Sequence, residues 1–427
     1  MDVVSADWVL PVSEPPIENG AVAVEGGRIV AVGPASELGA GRRFEQAAIL
    51  PGLVNCHSHL EYAVYTGFGD GTPDFADWIA THVERKSRLT FGDTVDIARL
   101  GAAECLSSGI TMVGDCSFSG AAALACAELG LRAIVYLEVF GADPATARER
   151  FEELREAAAP AFSERVVLGV SPHAPYTVTP EVYAMCASLD VPVATHLSES
   201  LSETLYLTGG GGPWDAFRNL LVDPPGTTGT RMLAGIGALG PNLVAAHCVM
   251  VEPDEIALLA EHDVAVAHCP RSNALLGCGI APLRELLDRG VTVGLGTDSP
   301  ASALSFDMFD ELRAAISFAR ARERRPDALS ASEALELATL GSAAALGLAD
   351  AIGSLEPGKR ADLAVISLEG SPFLPWEDPA TAVVLGGSPE RVVTTVVGGE
   401  VRYERDTFEW RELRQNGIRA RRRLLGQ

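Results

Sequence analysis

Two histidines one residue apart, His57 and His59, close the apolar run in ILPGLVNCHSHLEY, residues 49–62. In a β-strand, residues i and i+2 point to one face, so both imidazoles can reach one point just past a buried strand end. Neutral imidazoles with one carboxylate make a good shell for a divalent metal. Two nearby histidines are as often structural as ligating, so the reading depends on what the rest of the chain supplies. Other apolar runs end in Ser171-Pro172-His173, in His196 with Glu199 three residues on, in His247, in His268-Cys269-Pro270-Arg271 and in Thr297-Asp298-Ser299. Only His82 and His262 of the 8 histidines fall elsewhere. His57, His59, His196 and Asp298 are therefore the expected metal ligands. His262 reads as a surface residue, His82 as surface or lid, and His268 as either packing or functional.

The elements that must place these side chains follow from the apolar pattern. Strand candidates cover 49–54, 110–116, 132–139, 166–172, 191–196, 242–248, 263–269 and 291–297, and helical stretches separate most of them. Such repeated alternation predicts an α/β fold, a (β/α)₈ TIM barrel whose chemistry sits at the C-terminal strand ends. Short strands with Gly-Gly turns occur before it, in AVAVEGGRIVAVGP, and after it, at 361–368, 382–387 and 392–404. They predict a small β-sandwich built from both termini, residues 1–48 with 352–427, around a barrel of residues 49–351. The connections 76–108 and 197–241 exceed a minimal crossover and are expected to cover the ligand. TGGGGPW (208–214) could hinge such a lid; it is not a phosphate loop, because no Lys-Ser/Thr follows it.

Composition narrows the partners. A net charge of −24 argues against nucleic acid and against a polybasic membrane anchor. No apolar run reaches the roughly 18 residues needed to span a bilayer, and MDVVSADWVLPV lacks the marks of a signal peptide. The 8 cysteines include no Cys-x-x-Cys and read as buried thiols in a reducing cytoplasm. Barrels that bridge two metals often do so with a carboxylated lysine ending the fourth strand. The lysines here are Lys86 and Lys359, neither near Val170 and Ser171, so one metal is expected.

Taken together, PGLVNCHSH, THLSES (195–200), AAHCV (245–249), HCPRSN (268–273), LGTDS (295–299) and EPGKRADLAVI (356–366) resemble the amidohydrolase superfamily, in its cytosine-deaminase-like, one-metal branch. The resemblance spans nearly the whole chain. It implies one Zn²⁺, with Fe²⁺ as the alternative, and a small-molecule, nucleoside-like substrate; a homodimer also fits the family. SPHAPYTV (171–178) and FADWI (75–79) resemble motifs of deaminases acting on S-adenosylhomocysteine and methylthioadenosine. Those enzymes carry a ribose-binding glutamate after the loop tryptophan, and the nearest equivalent here is Ser87. Together with ERKSRLT and TGGGGPW, the loops look more like the aminodeoxyfutalosine deaminases of menaquinone synthesis.

The resemblance also implies roles. The metal would lower the pKa of a bound water towards neutrality. Asp298 would accept the water proton, Glu199 would protonate a ring nitrogen and then the leaving ammonia, and His247 would stabilise the tetrahedral adduct. His173 would reach a ribose hydroxyl and Trp78 would pack on the base, unless it is an exposed helix residue. Apart from the resemblance, guanidinium pairs bidentately with carboxylate, so Arg271 is expected to pair with a substrate carboxylate, with Arg85 and Arg88 as rivals and a structural ion pair as the alternative. Glu61, Tyr62 and Ser299 would line the mouth. Rival readings are an S-adenosylhomocysteine, methylthioadenosine or adenosine deaminase, a guanine or other free-base deaminase, a triazine-type chlorohydrolase, and a barrel kept only as a binding module.

Overall fold

The computed structural model describes residues 2–39, 41–370 and 378–427. Eight parallel strands form one sheet in chain order: β1 (Leu53–Ser58), β2 (Ile110–Ser117), β3 (Arg132–Val139), β4 (Val166–Pro172), β5 (Val193–Leu197), β6 (Leu243–His247), β7 (Ala265–His268) and β8 (Val293–Leu295). Helices cover their outer face, so the strands are apolar on both sides and nearly every strand residue is buried.

The sheet closes on itself between β8 and β1. The Asp298 amide donates to the His57 carbonyl at 3.0 Å. Asn55 Nδ2 donates to Thr297 Oγ1 at 2.7 Å, and the Thr297 amide donates back to Asn55 Oδ1 at 2.9 Å. Gly296 is needed at this seam: a Cβ there would lie 2.8 Å from the His57 Cβ. The closure therefore fixes His57 and Asp298 side by side. This is the expected TIM barrel.

Seven of the expected barrel strands lie where the pattern placed them. The first differs. The run expected as one strand over 49–54 is divided at Gly52: Arg42–Pro51 belongs to the outer sheet, and β1 begins at Leu53 and carries His57 within it. A continuous apolar run held both because each is buried in its own sheet, and only the break at Gly52 separates them.

The outer sheet contains strands from both termini. Its order runs from Glu400–Glu404 through Val392–Val397, Leu363–Ser367, Arg42–Pro51, Asp2–Val9 and Gly20–Glu25 to Arg28–Pro34. It is one hydrogen-bonded sheet, curled so that its end hairpins touch: the Ala361 amide donates to the Gly27 carbonyl and the Gly399 amide to the Ala361 carbonyl, each at 2.9 Å. Ala6, Val22, Ile49, Leu363 and Val365 fill the core it encloses. Of residues 382–387, expected as a strand, all but Gly387 lie in the helix Pro379–Gly386, which Asp378 caps by accepting from the Ala380 and Thr381 amides. A short apolar run does not distinguish strand from buried helix, and the Asp-Pro before it was the helix signal.

Two connections lie over the C-terminal mouth of the barrel. After β1 comes the helix Phe75–Lys86, capped by Asp74. After β5 comes the helix Leu201–Gly209, which ends on Gly210 in the left-handed region at φ 69°. The glycine run of TGGGGPW is anchored by Trp214, whose indole N–H donates to the Ser202 carbonyl at 3.1 Å. Trp214 packs with Phe75, Tyr176 and Leu207, joining the two connections in one apolar cluster. No helix among the described residues is long and apolar enough to cross a membrane. All eight cysteines are buried and none forms a disulfide.

Candidate active site

His59 follows β1 directly, and its ring donates Nδ1–H to the Cys116 carbonyl on β2 at 3.0 Å. His196, on β5, donates Nδ1–H to the His173 carbonyl at 2.8 Å. Each bond leaves Nε2 as the lone-pair nitrogen of its ring. These two nitrogens face one another at 3.2 Å. Two lone pairs that close repel unless a cation lies between them. His57 Nε2 is buried and has no hydrogen-bond partner. Asp298 Oδ1 lies 3.5 Å from His59 Nε2 and 3.8 Å from His57 Nε2. His57, His59 and His196 offer ligand atoms within 4.8 Å of one another, and so do His57, His247 and Asp298. Imidazole nitrogens and one carboxylate oxygen fit a single divalent ion.

The charge states suit that ion. Burial holds His57 well below the usual histidine range, takes His59 down to about 3 and lowers His196. All three rings are thus neutral, the form that binds metal. Burial pushes the Asp298 carboxyl up, but hydrogen bonding from the Ser272 hydroxyl opposes it, and the carboxyl is held below its usual range and ionised. Ser272 Oγ and Ser302 Oγ donate to Oδ2 at 2.6 and 2.9 Å, and the Ser299 amide donates to Oδ1 at 2.7 Å. Asp298 holds φ at 57°, in the left-handed region, so the seam fixes its backbone as firmly as the serines fix its carboxylate.

Glu199 lies on the turn leaving β5, 4% exposed. Burial first, then the Asp298 and Glu203 charges, hold its carboxyl well above the usual range, so it can carry a proton at neutral pH. Its position is set by Glu203, whose two oxygens accept the Ser198 amide at 2.9 Å and the Glu199 amide at 2.7 Å. Ser198 sits at φ 52°, the bend that swings Glu199 inward. His247, at the end of β6, donates Nδ1–H to Asn273 Oδ1 at 2.9 Å. Its Nε2 points to Glu199 Oε1 at 3.6 Å. Burial takes its pKa down to about 4, so it too is neutral.

These groups lie at one end of a cavity of about 330 Å³. Trp78, His173 and Ser299 line it, as expected, and Tyr62 does too. Trp78 fits because Gly69 has no side chain; a Cβ there would lie 1.9 Å from the indole ring. His82 also lines the cavity, against Trp78, and so belongs to the covering helix. His262 is exposed and His268 is buried away from the cavity.

Two expected substrate contacts are not brought to the cavity. Glu61 is fully buried and turned away, accepting from the Ser117 and Ser119 hydroxyls and from the Phe118, Ser119 and Ala122 amides at the start of the helix Ala121–Leu129. A carboxylate one turn past a ligand strand was drawn by those donors and not by the mouth. Arg271 pairs with the buried Glu311 through Nε and with Ser305 through its other nitrogens. It forms the structural ion pair, and its guanidinium is not free for a carboxylate. Sequence reasoning passed over Glu138, on β3, and Lys86, both of which line the cavity. A single acid near the end of the apolar strand RAIVYLEV was the available signal for Glu138.

Comparison with known proteins agrees with this architecture. The chain is 36% identical to a 5-methylthioadenosine/S-adenosylhomocysteine deaminase of Symbiobacterium thermophilum, over 91% of this chain and 89% of that one. It is 34% identical to a 5'-deoxyadenosine deaminase of Methanothermobacter thermautotrophicus, over 83% and 81%. Its fold superimposes on a zinc-bound adenosine deaminase from Xanthomonas campestris with a TM-score of 0.89, at 28% identity, covering 100% of this chain and 98% of that one. The zinc complex of the atrazine chlorohydrolase TrzN from Arthrobacter aurescens superimposes with a TM-score of 0.85, at 25% identity, covering 99% and 100%. A short stretch, residues 20–40, matches an imidazolonepropionase-like composite domain of bacteria. Residues 48–402, which contain the barrel and all four clustered ligands, match the amidohydrolase family, and the chain belongs to that family.

Proposed function

We propose that this protein is a zinc-dependent deaminase of an adenosine-like nucleoside, replacing the ring amine with oxygen and releasing ammonia. One observation carries the reading: a protonatable, buried Glu199 lines the same aromatic-walled cavity as His59, His196 and Asp298 of the metal-ligand cluster, with neutral His247 beside it. The names of the relatives support a nucleoside substrate.

When bound by His57, His59, His196 and Asp298, the metal supplies Lewis acidity and an acidified water. Asp298 accepts a proton at the edge of that shell. Glu199 delivers a proton to the ring nitrogen beside the amine-bearing carbon, which makes that carbon electrophilic; it then takes over the proton held by Asp298 and passes it to the departing amine, and the proton of the added hydroxyl restores Glu199 as the carbonyl forms. His247, fixed by Asn273, keeps the lone pair of its Nε2 towards the reacting face and accepts a hydrogen bond from the hydroxyl added as the ring carbon becomes tetrahedral. Trp78 covers the base from the lid.

Within this class the preferred substrate is aminodeoxyfutalosine, on the menaquinone route, supported by ERKSRLT, SPHAPYTV and HCPRSN. The relatives favour a second reading, a methylthioadenosine or S-adenosylhomocysteine deaminase. Ammonia release from aminodeoxyfutalosine, methylthioadenosine, S-adenosylhomocysteine, adenosine, guanine and a chlorotriazine separates them. Aminodeoxyfutalosine turned over no faster than adenosine removes the first assignment. Turnover of guanine or the triazine alone removes the nucleoside reading.

A further inference from the structure

Ser87, the position nearest to the family's ribose-binding glutamate, does not reach the cavity. Its hydroxyl donates to the Glu84 carbonyl at 2.7 Å, and the residue is exposed. Glu84 itself points outward and pairs with Arg88. Yet the cavity wall holds another carboxylate. Glu138, on β3, is 4% exposed and lines the cavity, and its Oε1 is buried without a hydrogen-bond partner. A buried acceptor left open destabilises the fold unless a ligand fills it.

Lys86 reaches the same wall from the last turn of Phe75–Lys86. Its Nζ lies 3.4 Å from the Tyr62 hydroxyl and 4.5 Å from the centre of the Phe118 ring. Among the described residues it is the only Lys or Arg lining the cavity. The two charges interact, but no direct ion pair closes between them among the described residues. His173 belongs to the same corner: its ligand atom lies within 4.8 Å of those of Glu138 and His196. It donates Nδ1–H to Thr177 Oγ1 at 2.8 Å, which leaves Nε2 as an acceptor.

An open acceptor beside an ammonium with donors to spare rejects simple ions of either sign. An anion would meet Glu138, with the Asp298 carboxylate across the cavity. A cation would meet Lys86. A neutral group that offers both a donor and an acceptor on adjacent atoms satisfies both, and vicinal hydroxyls are such a group. We propose that Glu138 and Lys86 read a vicinal diol, Glu138 Oε1 accepting from one hydroxyl and Lys86 Nζ donating to the oxygen of its neighbour. The inference rests on the nucleoside reading and names the residues that select the sugar. The diol-reading carboxylate stands at a strand end here, not on the loop.

The test compares kcat/KM for adenosine with that for 2',3'-dideoxyadenosine in the metal-loaded wild type, E138Q and K86M, with metal content measured for each. The wild type should prefer adenosine by about 100-fold or more, since a site built to bind a hydroxyl discriminates strongly against its absence. That ratio should fall at least about tenfold in E138Q and in K86M, with one metal per chain throughout. The two variants act from different elements, so the ratio can be read if only one of them folds. An unchanged ratio in a folded variant overturns the proposal. So does AMP outcompeting adenosine in the wild type, which would make Lys86 a phosphate site. So does a second metal equivalent lost in E138Q, which would make Glu138 a ligand. A wild type that deaminates no nucleoside contradicts the proposed function itself, and this inference with it.

Discussion

His59 and His196 bring their Nε2 atoms to 3.2 Å while each ring donates its Nδ1–H to a backbone carbonyl. The backbone thus fixes both tautomers so that two lone pairs converge on one point. Replacing either ring by alanine should remove most of the bound metal while leaving the barrel folded, and turnover should fall by about 10³-fold or more. Metal analysis beside a thermal melt checks this. Full metal content in either variant would show that the pair is structural.

In the proposed mechanism Glu199 is the residue whose proton the chemistry needs most. Glu199→Gln keeps the shape and the buried hydrogen-bonding capacity but cannot shuttle a proton. Turnover should fall by about 10²–10⁴-fold with metal content unchanged, the usual worth of a positioned acid–base group. Ammonia release and metal content measured on one preparation decide it, and near-wild-type turnover would remove Glu199 from the mechanism.

The same carboxyl sets a pH dependence. Burial and the charges of Asp298 and Glu203 raise its pKa, so its protonated form persists into the neutral range and is lost as pH rises. Activity should therefore fall on the alkaline side. Burial pushes the Glu203 carboxyl up to about 7, and above that it is ionised, so Glu203→Gln removes one of the charges that hold Glu199 up. The alkaline limb of kcat/KM should then move to lower pH. A limb that stays in place would assign it to another group.

Arg271 and Glu311 make a different prediction. Glu311 is fully buried, and Arg271 is the cation paired with it. Arg271→Met should destabilise the protein by about 3–5 kcal/mol by stranding the carboxylate, while restoring apolar packing in an Arg271→Met, Glu311→Met pair should recover much of the loss. Relative turnover of carboxylate-bearing and neutral nucleosides should not change. A selective loss of the former in Arg271→Met would return Arg271 to the substrate.

The barrel and the cluster of candidate metal ligands were legible because their signal is local: apolar runs of strand length, several closed by a histidine or an aspartate, with His57 and His59 spaced for one face. Arg42–Pro51 and β1 read as one strand because burial makes both apolar, and no pattern within the run marks which sheet owns which half. Glu61 shows the opposite limit. Its place beside the ligands suggested the mouth, but the amides opening the next helix decided its direction, and those come from residues 118–122. Lys86 and Glu138 come to line one cavity only through the tertiary fold, with no spacing in the sequence to betray it.

Titration of metal-free protein with Zn²⁺, read out as ammonia release from adenosine, tests the one-metal centre most directly. Activity should be absent without metal, rise in proportion to added metal and level off at one equivalent per chain. A plateau at two equivalents, or full activity in the metal-free protein, would contradict it.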